Sequence, residues 1–309
     1  MRLFLTGATG VLGRSAVPAL LAAGHEVRAV ARDDTKAKRL AALGVDPVRV
    51  DLFDGPAVTE AVAGVEVVVH LATNVPPLSK MALPPAWRMH NRLRTEATRN
   101  LLEAARTHEV PRFIKESITF TYPDRGDEWI DESVPPDDTI KALRPTLDGE
   151  RLVARFGSEH GRGVVLRFGL FYGPENRSTD EALRMAHARI GPIPGAPRGF
   201  ISSIHVDDAA AAVVGALDAP SGVYNVVDDE PLTRRDYTDA FAEAFDLPKL
   251  RITPTVAVRV VGGSGAKALT ASQRVSNQRM RATTGWGPAY PSAREGWVSV
   301  AATRAAKQS

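Results

Sequence analysis

The chain has 309 residues, of which 44% are hydrophobic and 24% charged, a balance typical of a globular protein with one large domain or a core domain and a cap. Its net charge is only +3 and its basic residues are scattered, which argues against a nucleic-acid-binding face. The absence of cysteine excludes disulfides, thiolate catalysis and cysteine–metal sites. No apolar stretch approaches the length of a membrane span, so we expect a soluble, cytoplasmic protein.

The first strand and the turn after it form the most informative motif. Residues 3–5 predict a short buried strand, and glycines then occur at every third position, at Gly7, Gly10 and Gly13, before a helical pattern begins. They allow, in that order, a sharp turn, close approach of the backbone to a phosphate, and packing of the helix on the sheet. The helix N-terminus adds free N–H groups and a positive dipole end. This context indicates a dinucleotide-binding turn rather than an ordinary glycine-rich turn.

The end of the second predicted strand, residues 26–32, bears on the choice of cofactor. An NAD-binding fold normally carries an acidic residue there, which hydrogen-bonds the ribose 2′-hydroxyl group. This chain has Ala31 and then Arg32, whose guanidinium can pair with a 2′-phosphate. We therefore expect NADP(H) to be preferred. NAD(H) stays possible because Asp33 and Asp34 follow, and Arg32 has the alternative interpretation of a solvated loop arginine.

Strands and helices continue to alternate along the chain. Its unbroken β-branched runs are typical of strands buried on both faces of a parallel sheet. The further strands are predicted at residues 47–51, 66–72, 113–118, 163–168 and 222–227. The helices after the first are predicted at residues 35–43, 58–62, 91–107, 147–159, 180–190, 206–217 and 232–245. We predict an α/β protein with a Rossmann, doubly wound, parallel seven-stranded sheet.

Two sets of segments do not fit this sheet. The predicted Rossmann domain, which binds NADP, comprises residues 1–173 and 201–227. The predicted substrate-binding cap is smaller and comprises residues 174–200 and 228–309. Ligands of open α/β sheets bind outside the carboxyl ends of the strands, so we expect the cap to close over them.

Several motifs occur in the order and spacing of a known superfamily. Besides the glycine turn, they are Asp51-Leu52, His70-Leu71-Ala72-Thr73, residues 100–105, residues 166–169 with 172–174, residues 204–208 and residues 222–226. The chain resembles an extended short-chain dehydrogenase/reductase, the superfamily that includes nucleotide-sugar epimerases and dehydratases. Together with the glycine turn and Arg32, the resemblance indicates that the cofactor is bound by Gly7, Thr9, Gly10, Val11, Leu12, Gly13, Arg32, Asp51, Leu52, Leu71, Ala72 and Thr73.

The departures from the superfamily concern proton transfer. Its members use a tyrosine four residues before a lysine, and the tyrosine exchanges a proton with the substrate oxygen. None of the five tyrosines here has a lysine at that spacing. Counting back from Glu150 places the family tyrosine at Ala142 and the family lysine at Thr146. The usual serine aligns near Ile118, beside Ser117, and the usual helix asparagine aligns with Arg94.

Three residues are candidates for the missing chemistry: Arg94, Tyr122 and Ser117. Arg94 could hold an anionic group or a developing enolate, or it could form a surface salt bridge. Tyr122 could reach a substrate carbonyl or serve as an aromatic wall together with Trp129 and the Trp87 loop. Equally, each of these residues could belong to the ordinary core. Lys115 and Glu116 could pair with each other, or their side chains could point outward. No histidine and carboxylate set has credible metal-ligand spacing, so we expect no metal.

The function favoured by these observations is an NADP(H)-dependent oxidoreductase that acts on a small organic carbonyl or enone-type substrate without the usual Tyr/Lys relay. A non-catalytic NADP(H)-binding redox sensor or regulatory protein is the alternative, and a sugar-nucleotide-type epimerase or dehydratase is a third choice. The elaborated cap favours the enzyme. The expected partner is a small-molecule substrate, with no nucleic acid or membrane, and the protein is expected to be a monomer or a homodimer.

Overall fold

The computed structural model describes residues 1–76, 80–81, 83–262 and 265–307. The strands are β1 Arg2–Thr6, β2 Glu26–Val30, β3 Asp46–Val48, β4 Val67–His70, β5 Arg112–Ile118, β6 Trp129–Ile130, β7 Arg162–Phe168, β8 Leu170–Tyr172, β9 Phe200–Ile201, β10 Ser203–His205, β11 Gly222–Val226, β12 Leu232–Thr233 and β13 Arg274–Val275. The helices are α1 Val11–Ala22, α2 Asp34–Ala41, α3 Gly55–Val62, α4 Arg88–Arg92, α5 Thr98–Thr107, α6 Arg144–Glu159, α7 Arg177–His187, α8 Val206–Gly215, α9 Arg234–Ala244, α10 Thr255–Gly262, α11 Gly265–Thr270, α12 Gln278–Thr284 and α13 Ala293–Ala306.

Seven strands form one parallel sheet in the order β11-β7-β5-β4-β1-β2-β3. This is the doubly wound α/β fold, so the predicted Rossmann architecture is confirmed. The strand order reverses beside β1, where β2 pairs with one edge and β4 with the other. The crevice at such a reversal, above the carboxyl ends of the strands, is where this fold binds ligands.

The sheet is buried on both faces, as its apolar strand sequences require. Alternate residues of one strand enter different hydrophobic clusters: Leu3 and Leu5 pack in the cluster that contains α1 and α8, and Phe4 packs in the cluster that contains α3 and α5. Burial of both faces fixes the register, because a shift by one residue would exchange the two sets.

A third cluster lies in the predicted cap region. It joins Ala182 and Ile193 to Phe241 and Trp297, residues from segments before and after β11. Met280 and Trp286, which the predicted boundaries assign to the cap, pack instead in a cluster of the Rossmann sheet. The domain boundaries stay a prediction, and residues 263–264 and 308–309 of the predicted cap lie outside the described residues. The described part of the chain contains no helix long and apolar enough to span a bilayer.

Candidate functional site

A cavity of about 1130 Å³ lies at the carboxyl ends of β1, β2, β4 and β5. It runs from the glycine turn to α4 and the short helical turn before α6, and α11 contributes to its wall. All the residues predicted to bind the cofactor line this cavity except Gly13. These residues are Gly7, Thr9, Gly10, Val11, Leu12, Arg32, Asp51, Leu52, Leu71, Ala72 and Thr73.

The glycine turn has the geometry that a dinucleotide needs. Gly7 has a φ of +80°, and a Cβ atom there would stand 2.6 Å from the carbonyl carbon of Leu71. Gly13 faces back into the turn, where a Cβ atom would stand 2.6 Å from Cα of Ala8. It therefore serves the packing of α1 on β1, which explains why it does not line the cavity. The N-terminus of α1 opens on the cavity at Gly10 and Val11, so this cradle fits a pyrophosphate.

Two arginines line one end of the cavity. Arg32 is exposed, and Arg49, which the sequence analysis missed, lies on the segment after the neighbouring strand β3. Asp33 caps α2 by accepting from the Lys36 backbone N–H at 2.9 Å. Asp34 accepts from Nη1 of Arg49 at 2.8 Å. The two acidic residues that kept NAD(H) possible therefore have partners in Lys36 and Arg49.

A buried ion pair lies at the other end of the cavity. Nη1 of Arg94 lies 2.5 Å from Oε2 of Glu116, and the two side chains are only 2% and 6% exposed. Nη1 also donates to the Glu116 backbone carbonyl at 2.7 Å, and Nη2 donates to Oε1 at 3.1 Å. The surface salt bridge considered for Arg94 is therefore wrong. The arginine faces the cavity, but its guanidinium is paired with Glu116.

The helix is distorted where Arg94 sits. The predicted helix over residues 91–107 is instead α4, a π-helical turn over Leu93–Ala97, and α5. The Leu93 carbonyl accepts from Nε2 of His70 at 3.1 Å, and Nδ1 of His70 accepts from the Thr6 hydroxyl group at 2.7 Å. Burial, and then the charge of Lys115, hold the pKa of His70 well below its ordinary value, so the ring is neutral. π-Helical turns are frequent at functional sites, and this one aims Arg94 at Glu116.

Lys115 lies behind this pair and is only 1% exposed. Its ammonium group donates to the Glu116 carbonyl at 3.3 Å. Burial and the charge of Arg94 lower its pKa to about 7, against the opposing effect of Glu116 and Glu150. Of the two interpretations of Lys115 and Glu116, the outward-facing one is therefore wrong, because both side chains are buried.

The structure places Ser117 and Tyr122 away from the cavity. The Ser117 hydroxyl group donates to Oε1 of Glu150 at 2.5 Å, and the Tyr122 hydroxyl group donates to Oδ1 of Asn225 at 2.9 Å. Both side chains are fully buried, and neither lines the cavity. Burial raises the pKa of Tyr122, which makes it a poorer acid. Each hydroxyl group therefore has its partner in the packing behind the cavity, and the catalytic roles of these two residues stay predictions.

The aromatic residues in the cavity wall differ from those of the predicted aromatic pocket. Trp87 lines the cavity, but Trp129 is half exposed and lies beneath the guanidinium of Arg274, 4.2 Å from the ring centre. Ala142, aligned with the family tyrosine, lines the cavity, whereas Thr146 is buried in α6. Of the described residues that line the cavity, none is a tyrosine or a lysine.

The fold and the cavity define a nucleotide-binding protein of the Rossmann type, and comparison with known proteins gives its family. The NAD dependent epimerase/dehydratase family matches residues 3–227, so the chain belongs to that family. A relative from a Streptomyces species, named 3-diazoavenalumate denitrifying reductase, is 37% identical over 96% of this chain and 99% of its own. A second relative, a quinoline-oxide ketoreductase from Stigmatella aurantiaca, is 29% identical over 79% of this chain and 73% of its own.

Solved structures share the fold. A human epimerase family protein, solved with NADPH, superposes with a TM-score of 0.82 at 24% identity, over 98% of this chain and 99% of that one. UDP-glucose 4-epimerase of Thermus thermophilus, solved with NAD, gives 0.79 at 24% identity over 99% of both chains. The resemblance to extended short-chain dehydrogenases/reductases is confirmed, and the relatives named as reductases support an oxidoreductase in general terms.

Proposed function

We propose that the protein is an NADPH-dependent reductase of a small aromatic or conjugated substrate that needs no proton from a tyrosine. The observation that carries the proposal is the cavity wall. One end has the cradle for a pyrophosphate, and at the other end Ala142 stands where the family tyrosine aligns. When bound, NADPH supplies a hydride. The chain's own residues supply a largely apolar cavity, with the buried ion pair Arg94–Glu116 in its wall.

The preference for NADPH rests on Arg32 and Arg49. Both guanidiniums line the cavity next to Ala31, at the end of the second strand, where an NAD-binding fold usually carries a carboxylate. A 2′-phosphate placed there meets two arginines, which are suited to bind it. The human structural neighbour solved with NADPH is consistent with this choice, and the Thermus neighbour solved with NAD shows that the fold also accepts the other cofactor.

An arenediazonium ion is the first substrate class to test. In its reduction the ring carbon–nitrogen bond breaks, N₂ leaves, and a carbon–hydrogen bond forms with the hydride, so no proton is taken up. That balance suits a cavity wall in which none of the described residues is a tyrosine or a lysine. The name of the Streptomyces relative, a denitrifying reductase of a diazo compound, supports the same class.

Carbonyl and enone-type substrates are the second candidate class, which the sequence analysis favoured. Hydride addition to them builds negative charge on oxygen, so a hydrogen-bond donor in the cavity would have to take the place of the tyrosine. His90 lines the cavity and belongs to α4, one turn before Arg94. The Stigmatella relative named as a ketoreductase supports this class.

The test is NADPH oxidation with an arenediazonium salt, an aryl ketone and an enone, each compared with a mixture that lacks the protein. With NADPH deuterated at the transferred position, we expect deuterium at the ring carbon that lost nitrogen. Reduction of the diazonium salt should show no solvent isotope effect, because no proton moves. Tight NADPH binding without oxidation by any of the three compounds would overturn the proposal in favour of a non-catalytic NADP(H)-binding protein.

A further inference from the structure

His90 is a buried histidine in the wall of the cavity. It lies on α4, and its side chain is 5% exposed. The Trp87 ring stands at 90° to the imidazole, with 5.3 Å between ring centres, and donates from Nε1 to the Met81 carbonyl at 2.8 Å. These contacts hold the imidazole ring at the substrate end of the site.

The contact with Arg94 determines where the proton of His90 lies. Nε of Arg94 donates to Nε2 of His90 at 3.4 Å, and a guanidinium can only donate. Burial, and then the charges of Arg94 and Lys115, lower the pKa of His90 to about 3, so the ring is neutral at ordinary pH. A neutral ring that accepts at Nε2 carries its hydrogen on Nδ1. Glu116 keeps the guanidinium in place, so the order of contacts is Glu116, Arg94, His90.

Nδ1 of His90 has no hydrogen-bond partner within the described ranges of the chain. Leaving a buried N–H group unpaired costs about 1–3 kcal/mol, and native proteins pair most such groups. The ring lines a cavity that is large enough for a substrate, so an acceptor on a bound ligand can satisfy this donor. Because the ring is neutral, it offers a hydrogen bond without a charge.

We propose that the Nδ1–H group of His90 binds an oxygen of the substrate, a carbonyl, phenolate or carboxylate oxygen, and that Arg94 is the positioning residue that sets the tautomer of His90. The inference rests on the proposed function only in placing the substrate in this cavity. It replaces the prediction that Arg94 itself holds an anionic group of the substrate, since that guanidinium is already paired with Glu116.

The first test needs no turnover. Nitrogen-15 NMR of histidine-labelled protein loaded with NADP⁺ should show His90 protonated at Nδ1, and Arg94→Met should remove that bias. The probes are benzoate and benzaldehyde, with toluene as the matched ring that lacks an acceptor. Both acceptor probes should shift the Nδ1–H resonance, and toluene should leave it in place. A proton on Nε2, or an equal response to all three probes, would overturn the inference even if the protein proves to be a reductase.

The second test uses two amides that mimic different nitrogens. In His90→Asn the side-chain amide reaches the position of Nδ1 and can donate to substrate. In His90→Gln the amide reaches the position of Nε2 and keeps only the contact with Arg94. We expect His90→Gln to lower kcat at least tenfold with an unchanged KM for NADPH, and His90→Asn to recover part of that loss. The opposite ranking would mean that His90 only supports Arg94.

Discussion

Replacing the buried lysine should stabilise the protein in a pH-dependent way. The pKa of Lys115 falls from 10.5 to about 7 because burial and Arg94 outweigh the attraction of Glu116 and Glu150. At about 1.4 kcal/mol for each pKa unit, the charged form costs the folded state ~5 kcal/mol. Lys115→Met removes that charge and keeps a side chain of similar length. The two carboxylates keep their arginine partners, Glu116 with Arg94 and Glu150 with Arg167.

The direction of the pH dependence follows from proton binding. Between pH 7 and 10.5 the unfolded chain holds a proton on Lys115 that the folded chain has lost, so the stability of the natural protein rises with pH. Below pH 7 both the folded and the unfolded chain hold the proton on Lys115, and the folded state is destabilised by the full cost of burying the charge. The buried neighbours His70 and His90 both have a pKa below the ordinary value, so they stay neutral over this range. The variant should therefore gain most stability at pH 6 and lose most of that advantage by pH 10.

Urea unfolding of the two proteins at pH 6, 8 and 10 measures this gain. Groups that titrate identically in both proteins cancel in the difference, which leaves the contribution of Lys115. The control is Lys249→Met at an exposed lysine, which should change the unfolding free energy by less than about 0.5 kcal/mol at every pH. A gain from Lys115→Met that is equal at pH 6 and pH 10 would show that it does not come from the charge. A loss at pH 6 would show that the charged lysine is stabilised by its partners. Either result would refute the reasoning.

Three further predictions concern cofactor choice, the glycine turn and the ion pair. Arg32→Ala and Arg49→Ala should each weaken NADPH binding by roughly 1.5–3 kcal/mol and leave NADH binding unchanged in calorimetric titrations, whereas equal affinities of the natural protein for both cofactors would contradict the preference. Gly13→Ala should abolish binding of both cofactors and lower the melting temperature, because the new Cβ atom would meet the backbone of the glycine turn. Normal cofactor binding by the variant would show that α1 can shift. Arg94→Ala should lower the free energy of unfolding in urea by about 3–5 kcal/mol, since Glu116 would stay buried without its partner, and a negligible loss would contradict this reasoning.

The fold could be predicted from the sequence because the sequence patterns that indicate it are local. Most strands of the seven-stranded sheet carry β-branched or apolar residues in sequence, and the glycine turn occupies eight consecutive residues, so each signal can be recognised without knowing its neighbours. The short strands outside this sheet are different. Leu170–Tyr172 pairs with Ser203–His205, which lies some thirty residues later, and so short a run has no period of its own. Such pairs depend on tertiary contacts, which override local preference.

The part of the site around Arg94 was harder to predict from the sequence, because its residues come together only through tertiary contacts. Arg94 was identified as a candidate, but its partner Glu116 lies 22 residues away on another element, and only the fold brings them together. Tyr122 is predicted near the cofactor because it follows β5, and Ser117 because the family serine aligns beside it. Their hydroxyl groups instead donate to Asn225 and Glu150, behind the cavity. His90 was missed. A histidine and an arginine four residues apart on one helix share a face, and that spacing could have found it.

The protonation states around the cavity are consistent with a site that binds and orients rather than one that exchanges protons. A general acid works best when its pKa lies near the working pH. Arg94 is paired with Glu116, and His90, with a pKa of about 3, is neutral and offers a hydrogen bond instead of an acidic proton. Lys115 has a pKa near 7, but it does not line the cavity. A substrate that accepts a hydride and expels its own leaving group makes no demand on these groups for a proton, and that match is the strongest physical argument for testing arenediazonium ions before ketones.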